Sequence, residues 1–130
     1  MSGETDLSEL LKSMNPILRD GEYVFCSLDS QNTDWLKLDP ICAFREEEGL
    51  TLILDRQQAN QANISYNSVF RLITLSVHSS LEAVGFLAAI TQKLAEHEIS
   101  VNAISAYYHD HLFVPSVQAE KAIELLREFG

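Results

Sequence analysis

The stretch VNAISAYYHDHLFVP, residues 101 to 115, sets His109, Asp110 and His111 side by side between two apolar runs. Two imidazoles and a carboxylate can ligate a metal, contact a ligand, or simply close a turn. Zinc requires three or four converging protein ligands. On a regular strand His109 and His111 would share a face, but the sequence around them reads as a strand–strand connection, so their directions stay open. His78, at the end of an earlier strand, is placed to approach them. His97 falls near a helix C-terminus, where the macrodipole favours an imidazolium, and that position accounts for it. Asp110 has a structural use as a turn residue whose carboxylate accepts from neighbouring backbone N–H groups. The expectation is that His109 and Asp110 form the connection, that His111 enters the next strand, and that the three make no metal centre.

Nucleophilic catalysis finds no better footing. Ser79 and Ser80 follow His78, but adjacency along the chain does not put a base on a hydroxyl. Ser79 also has a use as a helix N-cap, with Glu82 completing a capping box. There is no GxSxG elbow, no phosphate-cradling glycine loop and no HExxH. Glu46, Glu47 and Glu48 precede Gly49 as a solvated charge run. Neither a catalytic residue, nor a cofactor, nor a metal is expected; a small metal-dependent hydrolase is the rival class.

Binding is the better prospect. The first turn of a helix after Ser80 would present unsatisfied backbone N–H groups. Gly85 reads as mid-helix, where glycine costs roughly 0.8–1 kcal/mol relative to alanine, so close approach by a ligand or a strand is its expected reason. Asn102 interrupts an apolar strand. Its amide can be satisfied by backbone, by a small molecule's amino and carboxylate groups, or by solvent.

The elements that must position these residues follow from periodicity. Asp6 and Glu9 cap a short helix through LSELLKSM, which Pro16 stops or redirects. YVFCSL and ICAF read as strands. LTLIL follows the Gly49 turn with Leu50, Leu52 and Leu54 on one face, and DRQQANQA forms a short polar helix. FRLITLSV then puts Ile73, Leu75 and Val77 on one strand face. In the helix that follows, Leu81, Val84, Leu87, Ala88, Thr91, Leu94 and Ala95 form the inner stripe. Two strands and a last helix end the chain; Ser116 caps that helix and Ala119, Ala122, Ile123 and Leu126 face inward. The order from Phe70 is βαββα, one strand short of βαββαβ. That strand must come from the first half, from a partner subunit, or not at all. The predicted architecture is α+β, with helices on one side of an antiparallel sheet and strands of the N-terminal half interleaved, divided at residues 1–66 and 67–130.

The totals limit the partners. With 19 acidic residues against 9 Lys and Arg, the net charge of -10 offers no basic footprint for nucleic acid or an anionic membrane. A small cation or zwitterion remains compatible. Cys26 and Cys42 lie outside any CxxC arrangement; two buried free thiols suit a reducing compartment, although spacing does not exclude a disulfide. The acidic start MSGETDLSELL lacks the features of a signal peptide, and no run approaches the roughly 18 apolar residues of a membrane span. Cytoplasm is the expected location.

The segments VHSSLEAVGF, ISVNAISAYYHDH and FVP, with YVFCSL and FREEEGLTLIL before them, resemble the ACT-domain family. More closely, they are similar to small bacterial proteins that pair an ACT-like module with a related N-terminal segment. The resemblance implies a ferredoxin-like fold that binds amino acids or similar effectors and associates in pairs. By similarity to the regulatory regions of enzymes such as aspartate kinase, it places candidate ligand contacts at Val77, His78, Ser79, Ser80, Leu81, Val84, Gly85, Asn102 and Ile104. It implies a non-catalytic regulatory module, with an amino-acid effector and a homodimer as expected partners. An unidentified protein partner, or a structural module without a ligand, is the alternative.

Overall fold

The computed structural model describes residues 6–78 and 83–130. They form two compact units: Gly21–Phe70, and the segment ending at Asp20 together with Arg71–Gly130. Each has its own apolar core.

In the Gly21–Phe70 unit, strand β2 (Tyr23–Leu28) runs antiparallel to β4 (Leu50–Asp55), and β3 (Cys42–Arg45) pairs the other edge of β4. Cross-strand partners share a face, so Val24 and Cys26 lie with Leu52 and Leu54. These residues, with Leu50 and Ala59, form the buried cluster, as the period-2 pattern predicts. Gly49 closes the β3–β4 turn for a steric reason: a Cβ there would lie 2.7 Å from the Leu28 carbonyl oxygen. Helix α2 (Arg56–Gln61) starts at Asp55, whose carboxylate accepts from the Gln57 N–H. A 3-10 turn at Trp35–Leu38 stands between β2 and β3. Cys26 is buried, Cys42 half-buried, and both are free thiols.

The other unit opens with α1 (Leu7–Ser13), capped by Asp6 accepting from the Glu9 N–H at 3.1 Å. The chain then redirects at Pro16 into β1 (Pro16–Leu18). After β5 (Phe70–Leu75) come α3 (Phe86–Ala95), β6 (Asn102–Ser105), β7 (Asp110–Pro115), a 3-10 turn at Ser116–Gln118 and α4 (Ala119–Arg127). This is the βαββα order of an α+β, ferredoxin-like module. β5 neighbours β7, which pairs β6 antiparallel, and β1 pairs β5 antiparallel, with Ile17 opposite Thr74. The missing fourth strand is therefore the chain's own β1. Packing follows: Leu10 and Met14 join Ile73, Leu75, Ile90, Leu94, Leu112, Val114 and the α4 face in one core. The two compact units change over at residues 20/21 and 70/71.

Three local expectations change. Helix α3 begins at Phe86, with Gly85 as its N-cap in the left-handed conformation (φ +87°), so Gly85 is not inside the helix. The Ser79–Glu82 capping box lies outside the described residues. With the start displaced, the buried positions are Phe86, Ile90 and Leu94, while Val84, Ala88 and Ala95 face solvent. Ser116 sits in the 3-10 turn and is not the α4 cap. The α4 stripe itself is as expected: Ala119, Ala122, Ile123 and Leu126 are buried, with Leu125 added.

Candidate functional site

The β6–β7 hairpin closes through the Ala106 N–H donating to the His109 carbonyl oxygen at 3.0 Å. His109 therefore stands in the turn. Asp110 heads β7 opposite Ser105 and is buried, so it belongs to the strand and not to the turn. His111 is the next strand residue, opposite Ile104. Among the described residues no group of three His, Cys, Asp or Glu side chains could hold a metal ion.

The turn reaches the end of β5. His109 Nδ1–H donates to the Val77 carbonyl oxygen at 3.4 Å, and the His78 ring lies 5.5 Å from the ring of Tyr108. Tyr107 packs edge-on against Tyr108 at 4.9 Å, and both tyrosines are more than half exposed. Val77 is also fixed from α1, its N–H donating to the Met14 carbonyl oxygen. Two of the proposed contacts, Val77 and His78, are thus tied to the hairpin. Ser79, Ser80 and Leu81 lie outside the described residues. Val84 is 84% exposed, and a Cβ added at Gly85 would come into van der Waals contact with Leu7. Asn102 is exposed at the start of β6, opposite Phe113, so its amide meets solvent and does not face the interior. Ile104 is half-buried beside His111.

A second set of polar residues continues from this hairpin across the sheet. The buried Thr74 hydroxyl oxygen accepts from Arg19 Nε–H at 3.2 Å and lies 3.1 Å from His111 Nδ1. Burial lowers the His111 pKa below its ordinary value, with the neighbouring His109 and Arg19 adding to the effect against an opposing pull from Asp110. Arg19 and Thr74 carry no motif. The available signal was a single hydroxyl inside FRLITL, since a buried hydroxyl requires a partner. A cavity of about 250 Å³ also lies at the ends of α1 and α4, lined by Lys12, Ser13, Asn15 and Arg127 among others, and among the described residues none of the candidate ligand contacts lines it.

Family models for the ACT domain match residues 2–71 and 67–128. The chain belongs to the ACT-domain family. A crystal structure of a Vibrio cholerae protein of unknown function, described as a possible transport protein, is 52% identical, covers 95% of this chain and 94% of its own, and superposes with a TM-score of 0.87. An Agrobacterium tumefaciens protein shares 18% identity over 88% of this chain and 87% of its own, with a TM-score of 0.75. Escherichia coli aspartokinase III, solved with aspartate and ADP, shares 14% identity over 88% of this chain and 32% of its own, with a TM-score of 0.63. The last two likenesses are of fold. No curated protein matches the chain. In this ACT-domain protein the segment after β5 and the β6–β7 hairpin meet through His78, Tyr108 and His109.

Proposed function

We propose that this ACT-domain protein is a non-catalytic regulatory module that binds a small molecule, with an amino acid as the class of effector. The observation that carries the reading is the contact of the hairpin turn with the end of β5, through His109 to Val77 and His78 to Tyr108. What supports it is that Val77 and His78, two of the contacts implied by the family resemblance, adjoin His109 and the exposed Tyr108. The closer relationship proposed is to small bacterial proteins pairing two ACT-like segments, and a reducing cytoplasm suits the two free thiols.

Thermal unfolding of the intact protein against each amino acid at millimolar concentration tests the reading. A ligand selective for the folded state at 100 times its Kd stabilises by about 2.7 kcal/mol, a shift of several degrees for a chain of this size. A flat response to every amino acid sinks the amino-acid assignment.

A protein-interaction role is the second reading, favoured by Phe44 and Ile41, which are 67% and 50% exposed on and beside the edge strand β3. A second copy of the chain is the proposed partner, since an uncovered strand edge can pair with its symmetry mate. Sedimentation equilibrium on the same samples distinguishes dimer from monomer.

A further inference from the structure

We propose that Arg19, Thr74 and His111 form a recognition site for a ligand's carboxylate group. The proposal rests on the small-molecule reading above and names the group by which the ligand is held. Arg19 follows β1, Thr74 lies on β5 and His111 on β7, and the single Thr74 hydroxyl joins them at 3.2 and 3.1 Å.

The hydrogen positions follow from what each group can do. A guanidinium only donates, so Arg19 Nε–H gives its proton to Thr74 Oγ1. Thr74 is 1% exposed, and its own hydroxyl hydrogen needs an acceptor, which His111 Nδ1 supplies. A histidine accepting at Nδ1 is neutral and carries its proton on Nε2. Burial and the neighbouring His109 and Arg19 favour that neutral form at pH 7. What remains for a ligand is a set of donors: the two Nη groups of Arg19 and the Nε2–H of His111.

Arg19 has no carboxylate within ion-pair distance among the described residues, a condition it shares with Lys12, Arg45, Arg71, Lys121 and Arg127; what sets it apart is the buried hydroxyl that holds it. Arg19 is an exposed residue, yet one guanidinium nitrogen is anchored to a buried hydroxyl. A second guanidinium is tied to the same residue, because Arg71 Nη2–H donates to the Arg19 carbonyl oxygen at 2.9 Å. Arg71 Nε is buried without a partner among the described residues. In a protein of net charge -10, an anchored guanidinium without a carboxylate in ion-pair distance is a cationic group held in place. The planar fork of Arg19 matches the two oxygens of a carboxylate, and one such fork suits a monoanionic group better than a phosphate dianion.

Succinate, which has carboxylates and no amino group, separates this inference from the amino-acid reading. The intact protein is titrated with sodium succinate at constant ionic strength while the Arg19 Nε–H and His111 side-chain resonances are followed by NMR, with sodium chloride as the control. A saturable shift of both is expected. Arg19→Gln should weaken succinate binding at least tenfold, and Arg19→Lys, which keeps the charge but not the fork, should weaken it less. Absence of a saturable shift, or equal affinity in Arg19→Gln, overturns the site. An amino acid that binds the wild type and Arg19→Gln equally overturns it while leaving the amino-acid reading intact. Arg19-dependent succinate binding without any amino-acid response supports the site and removes that reading.

Discussion

His111 shows how one buried contact converts into a pH response. Burial, His109 and Arg19 hold its pKa below the ordinary value near 6.5, and Asp110 opposes them. The groups around it are Arg19 after β1, Thr74 on β5, and His109 and Asp110 beside it in sequence. The folded protein therefore binds fewer protons at this site than the unfolded chain does. Its contribution to stability is full above pH 6.5 and is lost as pH falls from 6.5 through the lowered folded value. Urea midpoints measured from pH 7.5 to 5 should fall more steeply for the wild type than for His111→Gln, which keeps a hydrogen-bonding side chain but does not titrate. Parallel curves for the two proteins would show that His111 does not titrate differently on folding. Residue chemistry was only partly legible beforehand. The sequence offered His111 as a strand residue, but its partners lie 37 and 92 positions away and no local pattern points to them. Asn102 is a case in which the sequence leaves several outcomes open. The apolar run left backbone, a ligand and solvent all open for its amide, and β6, a sheet edge, exposes it.

Elements were the most legible level, because a period of two or of 3.6 residues is a local signal. YVFCSL coincides with β2, and the α4 stripe is buried as spaced. The error at α3 is instructive because the same residues fit two helix starts. Apolar spacing from Leu81 allows an early start, but the left-handed Gly85 imposes a break, and Phe86 with Ile90 takes the inner face. A glycine read as a helix interior thus becomes a boundary, and the expected effect of replacing it changes sign. Alanine inside a helix would stabilise. At φ +87° an added Cβ is strained, although the nearest atom, Leu7 Cδ2 at 3.6 Å, is only in ordinary contact. The cost is conformational, so Gly85→Ala should lower stability by about 1–2 kcal/mol, the usual penalty of a left-handed non-glycine residue. Chemical denaturation checks this: equal or greater stability in the variant would place Gly85 in an unstrained conformation.

At the scale of the molecule, chain order and packing order differ. A sequence read from Phe70 onward ends one strand short, and the missing strand precedes it by more than fifty residues in β1. No periodicity within the C-terminal half could reveal this, since a strand three residues long carries almost no pattern of its own. Packing makes the consequence large. Leu10 and Met14 are fully buried in the core of that unit, and burying such side chains contributes roughly 1.5–3 kcal/mol each, together a sizeable share of the 5–15 kcal/mol that stabilises a typical domain. Residues 71–130 alone should therefore lack a cooperative unfolding transition. The antiparallel register puts Leu18 opposite Ile73, and the Arg19 N–H donates to the Leu72 carbonyl oxygen, so Asp20 and Arg71 come next on the two strands. Replacing residues 21–70 with Asn-Gly should close β1 and β5 as a two-residue hairpin and restore a complete sheet with its α1 cover. Far-ultraviolet circular dichroism through a urea gradient distinguishes the chains: a sigmoidal transition is expected for the hairpin-closed protein and a gradual slope for residues 71–130. If the shorter fragment unfolds as cooperatively and at the same urea midpoint, β1 and α1 are ornaments on a module that folds without them.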